Sequence, residues 1–133
     1  MNNLVLCFAC ILLFGNQLIA KEYSILDYGA EKDKLSTSAI QKAIDNCASD
    51  GGGRVIVPAG LFITGTIFLK SNVELYLQCG AELKGSANLD DYKFEDKKYG
   101  MFYCEDAINV AISGLGTIHG NGSFFYESDK NHV

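Results

Sequence analysis

Residues 54–57, 61–64, 66–69, 73–77 and 82–84 are short runs of apolar or alternating character, rich in β-branched and aromatic side chains. Glycine-containing turns or Lys70-Ser71-Asn72 separate them. Runs of this kind read as strands. They also repeat. Residues 55–65 lie over residues 75–85 without a gap, so that Val55, Val57, Gly60, Ile63 and Gly65 fall on Leu75, Leu77, Gly80, Leu83 and Gly85, a period of 20. A third copy, VAISGLGTIHG at residues 110–120, keeps the pattern at both ends with its middle glycine shifted. The gaps are too short for helical crossovers, which excludes a doubly wound sheet. Stacking of each strand on its counterpart one coil later predicts an all-β parallel β-helix rather than an antiparallel sandwich.

One segment has a different period. Ile40, Ala43, Ile44 and Cys47 recur at helical spacing, and Ser38 with Gln41 three residues later forms a capping-box pattern. The spacing predicts an amphipathic helix over residues 38–48, ended by Asp50-Gly51-Gly52-Gly53. It precedes the first repeat, where an exposed solenoid end needs an apolar cover. It is therefore expected to be the cap. Ahead of it, the alternation at residues 23–28 predicts a half-buried strand ending at Gly29.

Between the second and third copies the register slips from 20 to 35, and the excess falls within residues 86–107. Asp90, Asp91, Glu95, Asp96, Glu105 and Asp106 alternate there with Lys93, Lys97, Lys98 and with Tyr92, Phe94, Tyr99, Phe102 and Tyr103. Insertions of this kind emerge on one face of a solenoid and often border its binding surface. Two readings stand: aromatics that stack on sugar rings beside lysines that pair with carboxylates, or a solvated loop pinned by a few buried aromatics.

Charge and cysteine content narrow the partner and the compartment. The chain carries a net charge of -5, with every charged residue after Ala20. Such a balance disfavours nucleic acid, whose binding needs a basic face. The unbroken apolar run at residues 4–14 is too short to span a bilayer and reads as the core of a signal peptide covering residues 1–20. Export, to the periplasm or outside the cell, is expected, without stable membrane insertion after cleavage. Cleavage removes Cys7 and Cys10 and leaves Cys47, Cys79 and Cys104, enough for at most one internal disulfide. Their pairing stays open, with buried free thiols the stronger reading because Cys47 lies on the apolar helix face. No metal-ligand spacing survives in residues 21–133.

The ordered combination of these segments carries a resemblance. Tyr28-Gly29-Ala30, the run AIQKAIDNCASDGGGRVIVPAGLFITGTIFLKSNVELYLQCGAELKGS at residues 39–86, the stretch NLDDY at residues 88–92 and the run INVAISGLGTIHGNG from Ile108 are similar to the N-terminal part of polygalacturonase-type pectinases, glycoside hydrolase family 28. The resemblance implies a right-handed single-stranded parallel β-helix of the pectin-lyase type, of which residues 21–133 form the N-terminal, truncated part. It also implies hydrolysis of α-galacturonide bonds of a pectic polysaccharide with inversion, and no cofactor. The family draws its acid and base from an Asn-Thr-Asp motif and an Asp-Asp pair on later coils, followed by His-Gly and Arg-x-Lys motifs.

Those coils lie beyond Val133, so no catalytic, cofactor-binding or metal-binding residue is expected in this segment. Its substrate-binding residues stay open. Two look-alikes are set aside. Asp90-Asp91 belongs to the insertion, and His119-Gly120 occupies the turn after the third repeat. Pectate lyases and epimerase-like proteins share the implied fold, and a non-catalytic carbohydrate-binding module is a further reading, because fold alone does not fix function.

Overall fold

The computed structural model describes residues 20–122, so the expected leader lies outside the described residues except for Ala20. In chain order the elements are β1 (Glu22–Ser24), a 3-10 turn (Ile25–Tyr28), α1 (Thr37–Ser49), β2 (Gly53–Val57), β3 (Gly60–Thr64), β4 (Ile67–Phe68), β5 (Val73–Leu77) and β6 (Ala81–Gly85). A second 3-10 turn (Leu89–Tyr92) leads to β7 (Lys93–Phe94), β8 (Lys97–Lys98), β9 (Phe102–Tyr103), β10 (Ala111–Gly114) and β11 (Thr117–His119). Three parallel sheets result, in the orders β1-β2-β5-β10, β3-β6-β11 and β4-β9, while β7 and β8 form an antiparallel hairpin. The chain passes through the three sheets in turn and then climbs one level. This is the expected parallel β-helix, with one capping helix.

The repeat is not a uniform 20. Val55 pairs with Leu75 and Val57 with Leu77, as expected, but Phe62 rather than Ile63 pairs with Leu83, and Gly60 lies on Ala81 rather than on Gly80. In the third coil Ile112, not Val110, lies on Leu75 and Gly114 on Leu77, whereas Ile118 lies on Leu83 as expected. Corner length is the cause. The link between the first two sheets has two residues in the first coil (58–59), three in the second (78–80) and a single one, Leu115, at the equivalent place in the third. Because side chains alternate along a strand, a one-residue slip exchanges the inward and outward sets. Phe62 is accordingly fully buried and Ile63 only half-buried.

Inward positions stack into a single core, in which Val55, Val57, Phe62, Ile67, Val73, Leu75, Leu77 and Leu83 join Ile25, Ile40, Ala43, Ile44 and Cys47. The last four are the apolar face of α1, so the helix caps the first coil as its sequence pattern predicts. The start of the helix differs from expectation. Ser36, not Ser38, precedes it, and neither a Ser38 cap nor a reciprocal Gln41 bond forms. Its far end turns on the glycines: Gly52 has a φ of 103°, and a Cβ there would overlap the Asn72 backbone of the next coil.

Capping also involves the strand edges. Unpaired backbone groups at a sheet edge cost free energy if buried and invite foreign strands if exposed. β1 covers β2 in the first sheet, although it stops at Ser24 because Ser24 caps the following 3-10 turn. That stop corrects the strand expected through Tyr28. Residues 33–36 cover β3, with Asp33 N donating to Leu61 O at 2.8 Å and Ser36 N to Ile63 O at 2.7 Å. In the third sheet a side chain takes over. Gln41 of α1 donates from Nε2 to Phe68 O at 3.1 Å and accepts from Phe68 N at 2.9 Å through Oε1. One amide thus replaces a strand, which is why Gln41 is unavailable for a capping box.

The outer face of the first sheet carries a polar ladder. Arg54 Nε donates to Glu74 at 2.8 Å, Ser113 donates to the same carboxylate at 2.5 Å, and the guanidinium lies 4.5 Å from the centre of the Tyr76 ring. Ser113 and then Arg54 hold the Glu74 carboxyl below its ordinary value of 4.5. A depressed carboxyl contributes stability that is fully present above the unfolded value and is lost as pH falls through the native one. Urea midpoints measured from pH 6 down to pH 3 are therefore expected to fall more steeply for the parent chain than for Glu74→Gln. Parallel curves would show that the ladder contributes nothing through this titration.

Candidate functional site

The insertion that the sequence places between the second and third coils is seated on residues 64–69. Ser86 N donates to Thr64 O at 2.8 Å, Thr66 N to Asp91 O at 3.1 Å, and Thr66 Oγ1 to Gly100 O at 2.9 Å. Gly65 sits at the centre of this seat, because a Cβ there would overlap the Asp91 carbonyl. Tyr92 is buried and donates to Ser86 O at 2.7 Å, closing the base of the insertion. The insertion is shorter than residues 86–107. Phe102 and Tyr103 form β9, the second strand of the third sheet, and pair with Ile67 and Phe68.

Above that sheet stands the hairpin β7-β8. Its two-residue turn places Glu95 at a φ of 48° and Asp96 at 61°, the left-handed pair that matches strand twist in tight hairpins. Pairing sets Phe94 opposite Lys97 and Lys93 opposite Lys98. Directly opposed lysines repel. Asp90 offsets this, since Lys93 Nζ lies 2.6 Å from its carboxylate, and Lys93 followed by Lys98 holds that carboxyl below its ordinary value.

On the other side of the hairpin the rings of Phe68, Phe94, Tyr99 and Tyr103 meet edge to face, with centroids 4.7–5.7 Å apart. They line a cavity of about 430 Å³, together with Lys70, Lys97, Glu95 and Glu105. Lys70 is held by Asp45 at 2.7 Å, and Tyr103 donates its hydroxyl to Glu105 at 2.9 Å. The Glu105 carboxylate is the first cause raising the Tyr103 hydroxyl above its ordinary value. Among the described residues Lys97 has no ion-pair partner.

The rings of the insertion differ in exposure. Tyr92 pins it, whereas Phe94 is 52% exposed beside the lysines. Sequence reasoning named Phe94, Tyr99 and Tyr103 but not Phe68, whose signal was its place in a strand that the insertion had to cover.

The two look-alikes each make hydrogen bonds within their own surroundings. Asp90 is bound by Lys93, and Asp91 accepts from the Ser86 hydroxyl while its carbonyl serves Thr66. His119 ends β11, is exposed, and accepts at Nδ1 from Asn121 N at 3.2 Å. The cysteines divide. Cys47 is buried and its thiol is pushed up by burial, but Cys79 and Cys104 are exposed, contrary to the expectation of buried thiols, and all three are unpaired. Among the described residues no group of His, Cys, Asp and Glu is placed to hold a metal ion, and no helix is long and apolar enough to cross a membrane.

No family model matches the chain. It is 42% identical, over 123 residues and 78% of its length, to an exo-poly-alpha-D-galacturonosidase of Dickeya chrysanthemi. Two solved structures are similar to it in fold and sequence. The family 28 exopolygalacturonase of Yersinia enterocolitica matches 77% of the chain with a TM-score of 0.67 and 34% identity. A hyperthermoactive exopolygalacturonase of Thermotoga maritima matches 78% with a TM-score of 0.69 and 34% identity. The chain spans 20% of the Dickeya protein, 21% of the Yersinia chain and 26% of the Thermotoga chain. The described residues thus form part of a parallel β-helix that is similar, in sequence and in fold, to one part of exopolygalacturonases.

Proposed function

We propose that this chain belongs to an exported glycoside hydrolase that cleaves α-galacturonide bonds of pectic polysaccharide with inversion. The observation that carries the reading is the joint match in sequence and three-dimensional fold to galacturonan-cleaving enzymes, at 34% to 42% identity over more than three quarters of the chain. Inversion needs one carboxylic acid to protonate the leaving oxygen and a carboxylate to activate water on the opposite face of the sugar. In this reading Asp90 and Asp91 are not that pair, which is in keeping with the bonds that tie each carboxylate to a neighbour in its own loop. In this reading the role of the described residues is to cap the solenoid, set the register of its first coils and build the hairpin face.

The 133-residue chain by itself is accordingly expected to release no reducing ends from polygalacturonate. A longer protein that continues the β-helix is expected to do so. Turnover by the 133-residue chain that rises in proportion to its concentration and disappears in Asp91→Asn would overturn the assignment of Asp91 to a structural role.

A further inference from the structure

The chain leaves the third coil through a turn that carries a reactive pair of residues. Asn121-Gly122 is the one place in the sequence where a glycine follows an asparagine. The backbone nitrogen of a following residue can attack an asparagine side-chain amide, and a side chain on that residue hinders the attack. Glycine has none. The surroundings of the pair then decide whether the reaction proceeds in the folded chain.

They leave it open. Asn121 has a φ of 56°, in the left-handed region that asparagine tolerates, and its backbone N–H donates to His119 Nδ1 at 3.2 Å within an exposed turn. Among the described residues its side-chain amide has no hydrogen-bond partner, and none accepts from Gly122 N. Gly122 is exposed, lies outside the left-handed region, and a Cβ built on it would meet no atom within 4 Å. The other described asparagines differ. Asn72 and Asn109 hold each other amide to amide at 3.1 Å, Asn88 accepts from Asp90 N at 3.0 Å, and Asn46 lies inside α1 before the buried Cys47.

We propose that Asn121 is a site of covalent self-modification, deamidating through a succinimide to aspartate and isoaspartate. The Gly122 nitrogen bonds to Asn121 Cγ, the Cγ–Nδ2 bond breaks, and Nδ2 leaves as ammonia carrying the proton given up by the Gly122 N–H. Water then opens the ring. Attack at the side-chain carbonyl restores the backbone with an aspartate, whereas attack at the main-chain carbonyl leaves isoaspartate, in which the chain runs through the former side chain. Water is the only co-reactant.

The product adds one negative charge to a net of -5. Its isoaspartate form also lengthens the backbone by a methylene two residues beyond β11. The Gly120 carbonyl next to it packs so closely on the second coil that a Cβ on Gly85 would lie 2.8 Å from it. The lengthening therefore falls beside a tight contact between coils. Neither consequence depends on the reaction proposed above for the longer protein.

The test is incubation of the full chain in mildly alkaline buffer, folded and in urea, followed by peptide mapping and by enzymatic methylation specific for isoaspartate. Folded chain is expected to convert at Asn121, with Asn46, Asn72, Asn88 and Asn109 unchanged, and within about tenfold of the rate in urea, because exposed turns open at little cost. Gly122→Ala should slow the conversion at least about tenfold while melting with the parent, since the space and the backbone both admit a methyl group. Should that variant unfold, the comparison of folded parent with parent in urea decides alone. An Asn121 that stays an amide in the folded chain while it converts in urea overturns the site. So does an undiminished rate in a folded Gly122→Ala chain, which would mean that Gly122 N is not the attacking atom.

Discussion

Phe62→Ala is expected to destabilise the chain by about 3–5 kcal/mol, whereas Ile63→Ala should cost about 1 kcal/mol. Phe62 has no exposed surface and lies on Leu83 in the coil above, so its removal leaves a cavity bounded by strands that cannot close on it. Ile63 faces the other way, beside Lys84, and is half-buried. The 20-residue alignment makes the opposite forecast, because it sets Ile63 on Leu83. Urea unfolding of the two variants separates the registers directly. A larger loss for Ile63→Ala would show that the first corner has the length of the second and that the described pairing is wrong.

Gln41→Leu is the second large effect, at about 2–3 kcal/mol. The substitution keeps the side chain near its original size and a good helix former in place, yet it leaves Phe68 N–H and C=O without the amide that satisfies both. Gln41→Glu should lie between parent and leucine or below both. It retains an acceptor for Phe68 N–H but turns a carboxylate oxygen against Phe68 C=O. Because the freed groups form a strand edge, the loss should be accompanied by self-association that grows with protein concentration. Melting followed at several concentrations measures both. A Gln41→Leu protein that melts with the parent and stays monomeric would show that water replaces the amide at no cost, and that the helix covers the core without protecting the third sheet.

These two positions also show how far a sequence can be read. The strands, their parallel stacking and the capping helix follow from alternation, spacing and glycine placement, all properties of neighbouring residues. Val55 on Leu75 and Val57 on Leu77 were legible for that reason. The next strand was not, because Gly60 and Gly65 align with Gly80 and Gly85 in sequence while the corner between the sheets gains a residue at 78–80. Glycine spacing records where the chain turns; it does not record which residue the turn hands to the core. The Ser38 and Gln41 pattern misled for a related reason. A glutamine three residues after a serine satisfies a local rule, but the edge of β4 competes for the same amide and offers it two hydrogen bonds.

The candidate site divides in the same way. Lysines interleaved with aromatics between residues 92 and 103 left two readings in the sequence, a sugar-stacking surface or a solvated loop pinned by buried aromatics, and the chemistry of the side chains needed no coordinates. Phe68 could not be included, since it lies 26 residues before Phe94 and joins it only where β4 and β9 pair and the hairpin folds over them. The sequence by itself determined a parallel solenoid, its cap and the residue types of its exposed face, because each rests on periodicity or composition that is local to the chain. Tertiary structure decided the register of each coil, the partner of Gln41 and the closure of four rings around one cavity, because each depends on groups far apart in sequence competing for the same space and the same hydrogen bonds.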